Sequence, residues 1–199
     1  MSFRKEKKYR FTKYEFLEFK TYLTAKGLTA LFEPRIISSV YFDTPNLRMF
    51  FESEEGTLPR KKIRIRSYDL KGKFTLEQKV SSVEGRFKTT NTLDNIFHES
   101  EIEDKVLFDK DYGQVTPSLT VTYQRSYYSL QSMRITCDQA IRYKSMRQNK
   151  NNLLCYDPEN VIEIKIPNSL SDDYIEEIIP HPTSRFSKYS RGLLLFGHS

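Results

Sequence analysis

The sequence of 199 residues has few cysteines and histidines, and these near-absences exclude several kinds of site. Cys137 and Cys155 are the two cysteines. Their spacing matches no metal motif, which favours reduced thiols over a disulfide framework. His98, His181 and His198 are scattered, so a histidine metal centre is not expected. The seven glycines form no phosphate-binding loop, which excludes nucleotide binding by that route.

Long apolar runs are also missing. Residues 193–196 form one of the longer apolar stretches, and this is far too short for a membrane-spanning helix. The opening MSFRKEKKYRF is charged throughout and lacks the apolar core of a secretory signal. We therefore expect a soluble protein located in the cytoplasm.

The composition predicts a globular protein with an anionic partner. Apolar residues make up 38% of the chain and aromatic residues 14%, which argues for a buried core and against disorder. No linker, repeat or low-complexity tract divides the sequence, so residues 1–199 are predicted to form a single domain. The net charge of +6 and the pI of about 9.1 favour nucleic acid, phosphates or an acidic membrane without choosing among them.

The distribution of β-forming residues and turn signals predicts a mainly β fold of the α+β class. Eight strands are predicted, at residues 3–11, 36–43, 60–68, 73–80, 85–91, 117–130, 132–143 and 159–167. Thr12 is expected to cap a helix that ends near Gly27, and Thr44 with Pro45 to start a short helix over 46–54. Residues 92–109 and 170–179 are also predicted to be helical, whereas 186–196 are left unassigned. These elements indicate an antiparallel barrel or curved sheet with attached helices.

Charged residues alternate with apolar residues along many of these strands. In RKKIRIRSY, residues 60–68, the cations at positions 60, 62, 64 and 66 share one face and two isoleucines share the other. Other charged faces contain Arg4, Glu6, Lys8 and Arg10; Glu77 and Lys79; Arg86 and Lys88; Arg125; Arg134 and Asp138; and Glu163 and Lys165. A solvated sheet face explains any single strand. Recurrent arginine favours an inward-facing phosphate site, because its fork of donors matches phosphate oxygens. The carboxylates Glu6, Glu77, Asp138 and Glu163 are candidate ligands for Mg²⁺ or Mn²⁺.

Eight motifs carry a resemblance to a known family and cover nearly the whole chain. They are RKEKKYRF, SSVYFDTP, RKKIRIRSY, FTLEQK, YQRSYY, RITCD, VIEIKIP and FSKYSRG. In this order they resemble the polyphosphate polymerase domain of the vacuolar transporter chaperone (VTC) family. That domain belongs to the triphosphate tunnel metalloenzymes, which include the CYTH phosphatases. The resemblance implies an eight-stranded antiparallel β-barrel tunnel with peripheral helices. It also implies metal-dependent transfer of the terminal phosphate of a nucleoside triphosphate such as ATP to a growing polyphosphate chain.

The resemblance also implies roles for individual residues. Phosphate-binding catalytic roles fall on Lys8, Arg64, Arg66, Lys79, Arg125 and Arg134, and the metal role falls on Glu163. Substrate-binding roles fall on Lys88, Lys188 and Arg185, the last at a position where lysine is common in the family. The alternating pattern itself adds Arg4 and Lys62 to the phosphate-binding set and Glu6 to the metal site.

One departure from the family pattern favours polymerase over phosphatase. Tunnel phosphatases typically open with E-x-E-x-K, whereas this chain has Arg4, Glu6 and Lys8. A triphosphatase and a non-catalytic binding module for polyphosphate or nucleic acid are the alternatives. Nucleic acid would require a basic outer surface and a steep salt dependence, whereas a tunnel requires a basic interior. We expect no nucleic-acid partner, and the sequence specifies neither a membrane-protein partner nor an oligomeric state.

Other polar residues have simpler expected roles. Asp43 is predicted to form turn hydrogen bonds, and Asp138 an ion pair with Arg134 or another neighbour. Tyr123, Tyr127 and Tyr128 are predicted to pack the barrel rather than stack on bases. Lys5, Lys7 and Lys61 are predicted to be solvated.

Overall fold

The structure is a computed structural model, and it describes residues 4–69, 73–94, 98–147, 153–171 and 173–197. Ten strands lie in these ranges: β1 Arg4–Phe11, β2 Thr29–Asp43, β3 Arg60–Tyr68, β4 Phe74–Ser82, β5 Gly85–Leu93, β6 Leu107–Asp109, β7 Gly113–Leu130, β8 Met133–Ser145, β9 Leu154–Tyr156 and β10 Asn160–Pro167. Five helices accompany them: α1 Lys13–Ala25, α2 Arg48–Glu55, α3 Ser100–Glu103, α4 Asp173–Ile178 and α5 Lys188–Leu195. No helix in the described ranges is both long enough and apolar enough to cross a membrane.

The chain divides into two compact units. Unit 1 contains Met1–Arg35, Tyr123–Ile141 and Asp157–Phe186, and unit 2 contains Ile36–Thr122, Arg142–Tyr156 and Ser187–Ser199. Strands β2, β7 and β8 contribute residues to both units. The hydrogen-bonded strand order is β1-β10-β8-β7-β2-β3-β4-β5, with β6 paired to β7 and β9 to β8. This path of eight strands, antiparallel wherever the register is defined, confirms the predicted fold class. The single-domain organisation stays a prediction.

The core of unit 1 forms on the apolar faces of β1, β8 and β10. Tyr9 and Phe11 of β1 pack with the alternating isoleucines of β10 and with the buried side of α1. Thr12 caps α1 as predicted: its hydroxyl accepts the Glu15 N–H, and the Glu15 carboxylate accepts the Thr12 N–H. Gly27 then leaves the helix with a φ of 95°, a conformation that glycine adopts without strain. The charged side chains of β1 and β10 therefore lie on the opposite sheet face.

The core of unit 2 follows the same alternation. Val40 and Phe42 of β2 pack with Ile63 and Ile65 of β3 and with Phe74 of β4. The intervening residues of these strands, including the arginines of RKKIRIRSY, lie on the other face. The predicted hairpin of strands 60–68 and 73–80 is present as β3 and β4, although residues 70–72 of its turn lie outside the described ranges.

Several predicted element boundaries are wrong. Residues 92–109 were predicted to be mostly helical, but α3 is the one helix in the described part of this segment. Its ends pair as strands instead: Leu93 of β5 faces Phe74 of β4, and β6 pairs with β7. Helix α2 begins at Arg48 rather than after Thr44, because Leu47 adopts a left-handed conformation with a φ of 58°. Strand β9 was not predicted, and the unassigned tail contains α5, which Ser187 caps.

Candidate active site

The first group of charged residues lies on the polar face of β3, β4 and β5 in unit 2, and we call it the β3–β5 cluster. It consists of Lys62, Arg64, Arg66, Glu77, Lys79 and Lys88. Arg64 lies between Tyr41 of β2 and Glu77 of β4 in the strand register. Its Nε and Nη2 lie 2.7 and 2.5 Å from Glu77 Oε2, and its Nη1 donates to the Tyr41 hydroxyl at 2.9 Å. Two strands therefore fix the orientation of this guanidinium.

Glu77 is the counter-charge of the β3–β5 cluster. Its side chain is 3% exposed, and it also lies 3.6 Å from Arg66 Nη1 and 2.7 Å from Lys88 Nζ. Burial opposes ionisation of this carboxyl, but Arg64, Arg66 and Lys88 lower its pKa to about 2. Glu77 was also a candidate metal ligand. The structure surrounds it with three cations, which makes it an anchor for them.

Three lysines face one another across adjacent strands of the same cluster. Lys62 pairs in register with Lys79, and Lys79 pairs with Lys88. Like charges directly opposite each other destabilise a sheet, so this row favours an anionic ligand. Lys62 donates to Ser187 Oγ at 2.8 Å, which ties β3 to the start of α5, where Lys188 is the first helical residue. Lys79 is exposed.

The second group lies on the polar face of β1 and β10 in unit 1, and we call it the β1–β10 cluster. It consists of Glu6, Lys8, Glu163 and Lys165. Glu6 faces Lys165 in register, and Lys8 faces Glu163, so opposite charges alternate along and across the strands. Lys165 Nζ lies 2.8 Å from Glu163 Oε1, and Lys8 Nζ lies 3.2 Å from Glu6 Oε1. The cluster contains as many cations as carboxylates.

Glu6 and Glu163, the two carboxylates of the β1–β10 cluster, offer the kind of oxygen ligands that a divalent ion such as Mg²⁺ uses together with phosphate. Burial alone would raise the pKa of Glu163, but Lys165, Lys8 and Arg125 lower it well below its usual range, so this side chain is ionised. Thr136 lies directly opposite Glu163, and its buried hydroxyl has no hydrogen-bond partner in the described part of the chain. Mg²⁺ typically uses one or two carboxylates together with substrate phosphates and water. The donor set of Glu163, Glu6 and an unsatisfied hydroxyl fits that pattern, whereas no group of three His, Cys, Asp or Glu side chains occurs among the described residues.

Arg125 and Asp138 form a separate ion pair in unit 1. Arg125 donates from Nε and Nη2 to both Asp138 oxygens, at 2.5 and 2.7 Å. Burial opposes the charge of Arg125, but Asp138 raises its pKa above the usual value. The predicted ion pair of Asp138 is therefore confirmed, with Arg125 as the partner rather than Arg134, and it occupies a carboxylate that was also a candidate metal ligand.

The remaining predicted residues, Arg4, Arg134 and Arg185, belong to unit 1. Arg134 and Arg185 are exposed, and Arg134 faces Lys165 in register. The backbone of Arg4 pairs with Pro167, and its side chain lies outside what the structure describes.

Lys61 corrects one prediction, and Asp43 confirms another. Lys61 is 7% exposed rather than solvated, because its Nζ donates to Asp109 and Asp111. Asp43 accepts the backbone N–H groups of Thr44, Met49 and Phe50, which is the turn role expected of it.

Two residues that shape these clusters, Tyr41 and Lys165, were given no role by the sequence. Tyr41 holds Arg64, and its ring stacks on Tyr189 at 4.9 Å. Lys165 neutralises Glu163. The alternation of Tyr41 with Val40 and Phe42 places it on the charged face and could have identified it, whereas Lys165 was already assigned to the face of Glu163 without a role.

Comparison with known proteins supplies the family and the fold. The family model for the VTC domain matches residues 3–196. No curated protein matches the sequence. A candidate adenylate cyclase from Vibrio parahaemolyticus is 16% identical, with 97% of this chain and 98% of that chain covered and a TM-score of 0.56. A candidate adenylate cyclase from Bacillus halodurans is 14% identical, with coverages of 94% and 95% and a TM-score of 0.59.

A third solved structure is described by its activity. It is a candidate adenylyl cyclase from Hippeastrum with a dominant triphosphatase activity. It is 15% identical, with coverages of 95% and 94% and a TM-score of 0.54. At these identities the three similarities establish a shared fold.

Proposed function

Because the chain belongs to the VTC domain family and has the fold of the CYTH-like tunnel proteins, we propose that it is a polyphosphate polymerase. In this proposal the terminal phosphate of ATP is transferred to the end of a polyphosphate chain in a metal-dependent reaction. The observation that carries the proposal is the row of Lys62, Lys79 and Lys88 beside the half-buried Arg64 and the buried Arg66. Glu77 contacts three cations of this cluster, Arg64, Arg66 and Lys88.

The β3–β5 cluster is proposed to bind phosphate groups. Arg64 and Arg66 are held by Glu77, Tyr41 and Ser39, so their guanidinium planes are fixed before a ligand arrives. Such preorganised donors stabilise the charge of a transferring phosphoryl group without reorganising during the reaction. Lys62, Lys79 and Lys88 would add charge along the strand register, and Lys188 follows Ser187, to which Lys62 donates.

In unit 1, Glu163 and Glu6 are proposed to hold Mn²⁺ or Mg²⁺. Such an ion supplies charge neutralisation on phosphate oxygens. Lys165 and Lys8 neutralise the two carboxylates when no ion is bound, and Thr136 offers a hydroxyl beside them. Lys8, Arg125, Arg134 and Arg185 are proposed as further phosphate contacts of this unit, with Arg4. An acceptor phosphate is already ionised, so the transfer requires no general base.

A triphosphatase is the second candidate, and the activity described for the Hippeastrum protein favours it. In that reaction water takes the place of the acceptor phosphate. The sequence argues against it at Arg4, where tunnel phosphatases carry a carboxylate.

Transfer of labelled phosphate distinguishes these functions. The protein is incubated with ATP labelled at the terminal phosphate, Mn²⁺ and short unlabelled polyphosphate, and the products are separated on a gel. Polymerase activity places the label in chains that an exopolyphosphatase then degrades. Label found almost entirely in orthophosphate would replace the polymerase with the triphosphatase. Unchanged ATP together with tight polyphosphate binding would identify a binding module.

A further inference from the structure

Tyr41 of β2 brings a hydroxyl group to the β3–β5 cluster. Tyr41 is 6% exposed, as Arg66 is, and it faces Arg64 in the strand register. Nη1 of Arg64 donates to the Tyr41 hydroxyl oxygen at 2.9 Å. A tyrosine hydroxyl also has one hydrogen of its own to donate. Within the described ranges, no acceptor takes that hydrogen.

Tyr189 of α5 fixes the ring that carries this hydroxyl. The two rings stack with their centroids 4.9 Å apart and their planes at 19°. The Tyr189 hydroxyl donates to Asp43 Oδ2 at 2.5 Å, and Asp43 also accepts the backbone N–H groups of Met49 and Phe50. The hydrogen of Tyr189 is therefore used inside the protein. The hydroxyl of Tyr41 is held in place with its donor still available.

The charges around the Tyr41 hydroxyl favour an anionic acceptor. Burial alone would raise the pKa of Tyr41, but Arg64, Arg66 and Lys62 lower it below its usual value. The same cations polarise the O–H bond, and a donor in such surroundings forms its strongest hydrogen bond with a charged oxygen. A buried tyrosine hydroxyl usually has a partner for its hydrogen. An available donor next to two arginines therefore indicates an oxygen of a bound ligand.

We propose that Tyr41 is a further phosphate-binding residue, whose hydroxyl donates to an oxygen of the phosphate group that Arg64 contacts. This role rests on the proposed binding of phosphate by the β3–β5 cluster. Arg64 would supply charge to the phosphate group, and Tyr41 would supply a second, directed donor. Because the hydroxyl is neutral, it adds a phosphate contact without adding to the repulsion among the neighbouring cations. Tyr189 would be a positioning residue that acts through the ring of Tyr41.

A double-mutant cycle distinguishes this role from one in which the hydroxyl only orients Arg64. Calorimetry without metal measures the affinity for tripolyphosphate of the unmodified protein, Tyr41→Phe, Arg64→Ala and the double variant. We expect Tyr41→Phe to lower the affinity by about tenfold, because a hydrogen bond to a charged group is lost. In the Arg64→Ala protein, the same substitution should still lower it by about threefold or more.

Tyr112→Phe is the matched control. Its hydroxyl donates to Glu52, and its ring packs on the apolar core of unit 2, so its loss should leave the affinity unchanged. A second readout uses tyrosine labelled with ¹³C at the carbon that bears the hydroxyl. The Tyr41 resonance, identified by its absence in Tyr41→Phe, should move when tripolyphosphate is added, whereas the Tyr112 resonance should not.

Three results would overturn the role of Tyr41 and leave phosphate binding by the cluster intact. They are an unchanged affinity of Tyr41→Phe, an effect of Tyr41→Phe that disappears in the Arg64→Ala protein, and a Tyr41 resonance that stays in place at saturating tripolyphosphate. If the unmodified protein does not bind tripolyphosphate at all, the proposed phosphate binding by the β3–β5 cluster fails, and the role of Tyr41 fails with it.

Discussion

The β3–β5 cluster and the β1–β10 cluster are built on the same strand alternation but are charged in opposite ways. In the first, lysine faces lysine across three strands, and one carboxylate, Glu77, contacts three cations. In the second, each cation faces a carboxylate, and two of each are present. Like charges in register destabilise a sheet unless an anion binds, whereas opposite charges stabilise it without one. The first arrangement is suited to holding phosphate, and the second to holding carboxylates in place for a metal ion.

The largest expected effect comes from the β1–β10 cluster. Glu163→Gln keeps the size of the side chain but loses the charge that would hold a metal ion. We expect kcat to fall by about 100-fold or more, because metal neutralisation of the transferring phosphoryl is worth several kcal/mol. Tripolyphosphate binding, measured by calorimetry, should persist.

Glu159→Gln is the matched control, because Glu159 forms an ion pair with Arg10 in the same unit. Its turnover should stay close to that of the unmodified protein. Normal turnover of Glu163→Gln with Mn²⁺ would remove Glu163 from the metal site.

Glu77, the carboxylate of the β3–β5 cluster, should make the unfolding free energy depend on pH in the acidic range. The pKa of Glu77 is lowered from 4.5 to about 2, so its contribution is complete above the unfolded value and is lost as pH falls toward the folded value. The difference of about 2.5 units corresponds to about 3 kcal/mol of unfolding free energy. Urea unfolding measures the difference in unfolding free energy between the unmodified protein and Glu77→Gln. This difference should become smaller as pH falls below 4.5.

Glu54 is exposed, so the unfolding free energy of Glu54→Gln should differ from that of the unmodified protein by the same amount at every pH. If the difference in unfolding free energy between Glu77→Gln and the unmodified protein stays constant over the same pH range, the three cations do not stabilise this carboxylate.

The arginines of the β3–β5 cluster should determine ligand affinity. Arg64→Ala or Arg66→Ala removes a charged hydrogen-bonded contact worth about 1.5–3 kcal/mol, so tripolyphosphate affinity should fall about tenfold or more. Arg60→Ala is the control, because Arg60 lies on the same face of β3 and contacts the carbonyl oxygens of Gly56 and Thr57. Equal affinities in all three variants would place the binding of tripolyphosphate elsewhere.

The smallest expected effects come from removing one lysine from each cluster. They compare like-charged with opposite-charged cross-strand pairs directly. Lys79→Gln removes the central member of the lysine row and should raise the unfolding free energy of the ligand-free protein by a few tenths of a kcal/mol. Lys8→Gln removes a cation that faces Glu163 and should lower the unfolding free energy by a similar amount. Chemical unfolding of both variants in phosphate-free buffer measures the difference. Changes of the same sign would contradict the contrast between the clusters.

The sequence predicts the strands well because their charged and apolar residues alternate with the period of a strand. The strand prediction at 60–68 coincides with β3, and the capping box of α1 is a local signal that needs no tertiary information. The segment 92–109 shows the limit: it was predicted to be mostly helical, while pairing with Phe74 and β7 determines its ends. Cross-strand pairing is not encoded in any single window of sequence.

The same limit applies to the clusters. Arginine at positions 64 and 66 could be assigned to a charged face from the sequence. That Glu77 would hold both, and that Tyr41 would hold Arg64, depends on the register of β2, β3 and β4. Lys61 was predicted to be solvated. Its burial depends on Asp109, which lies 48 positions further along the chain.

The most direct test of the proposed polymerase is the phosphorus balance of ATP turnover, followed by ³¹P spectroscopy with Mg²⁺, first without and then with a short polyphosphate primer as the acceptor. Each ADP formed must be matched either by one phosphate inside a chain or by one orthophosphate. The polymerase predicts that signals of internal polyphosphate groups grow with ADP, while orthophosphate stays a minor product. Orthophosphate rising in step with ADP, with no internal polyphosphate signal even after a short primer is added, would contradict the account.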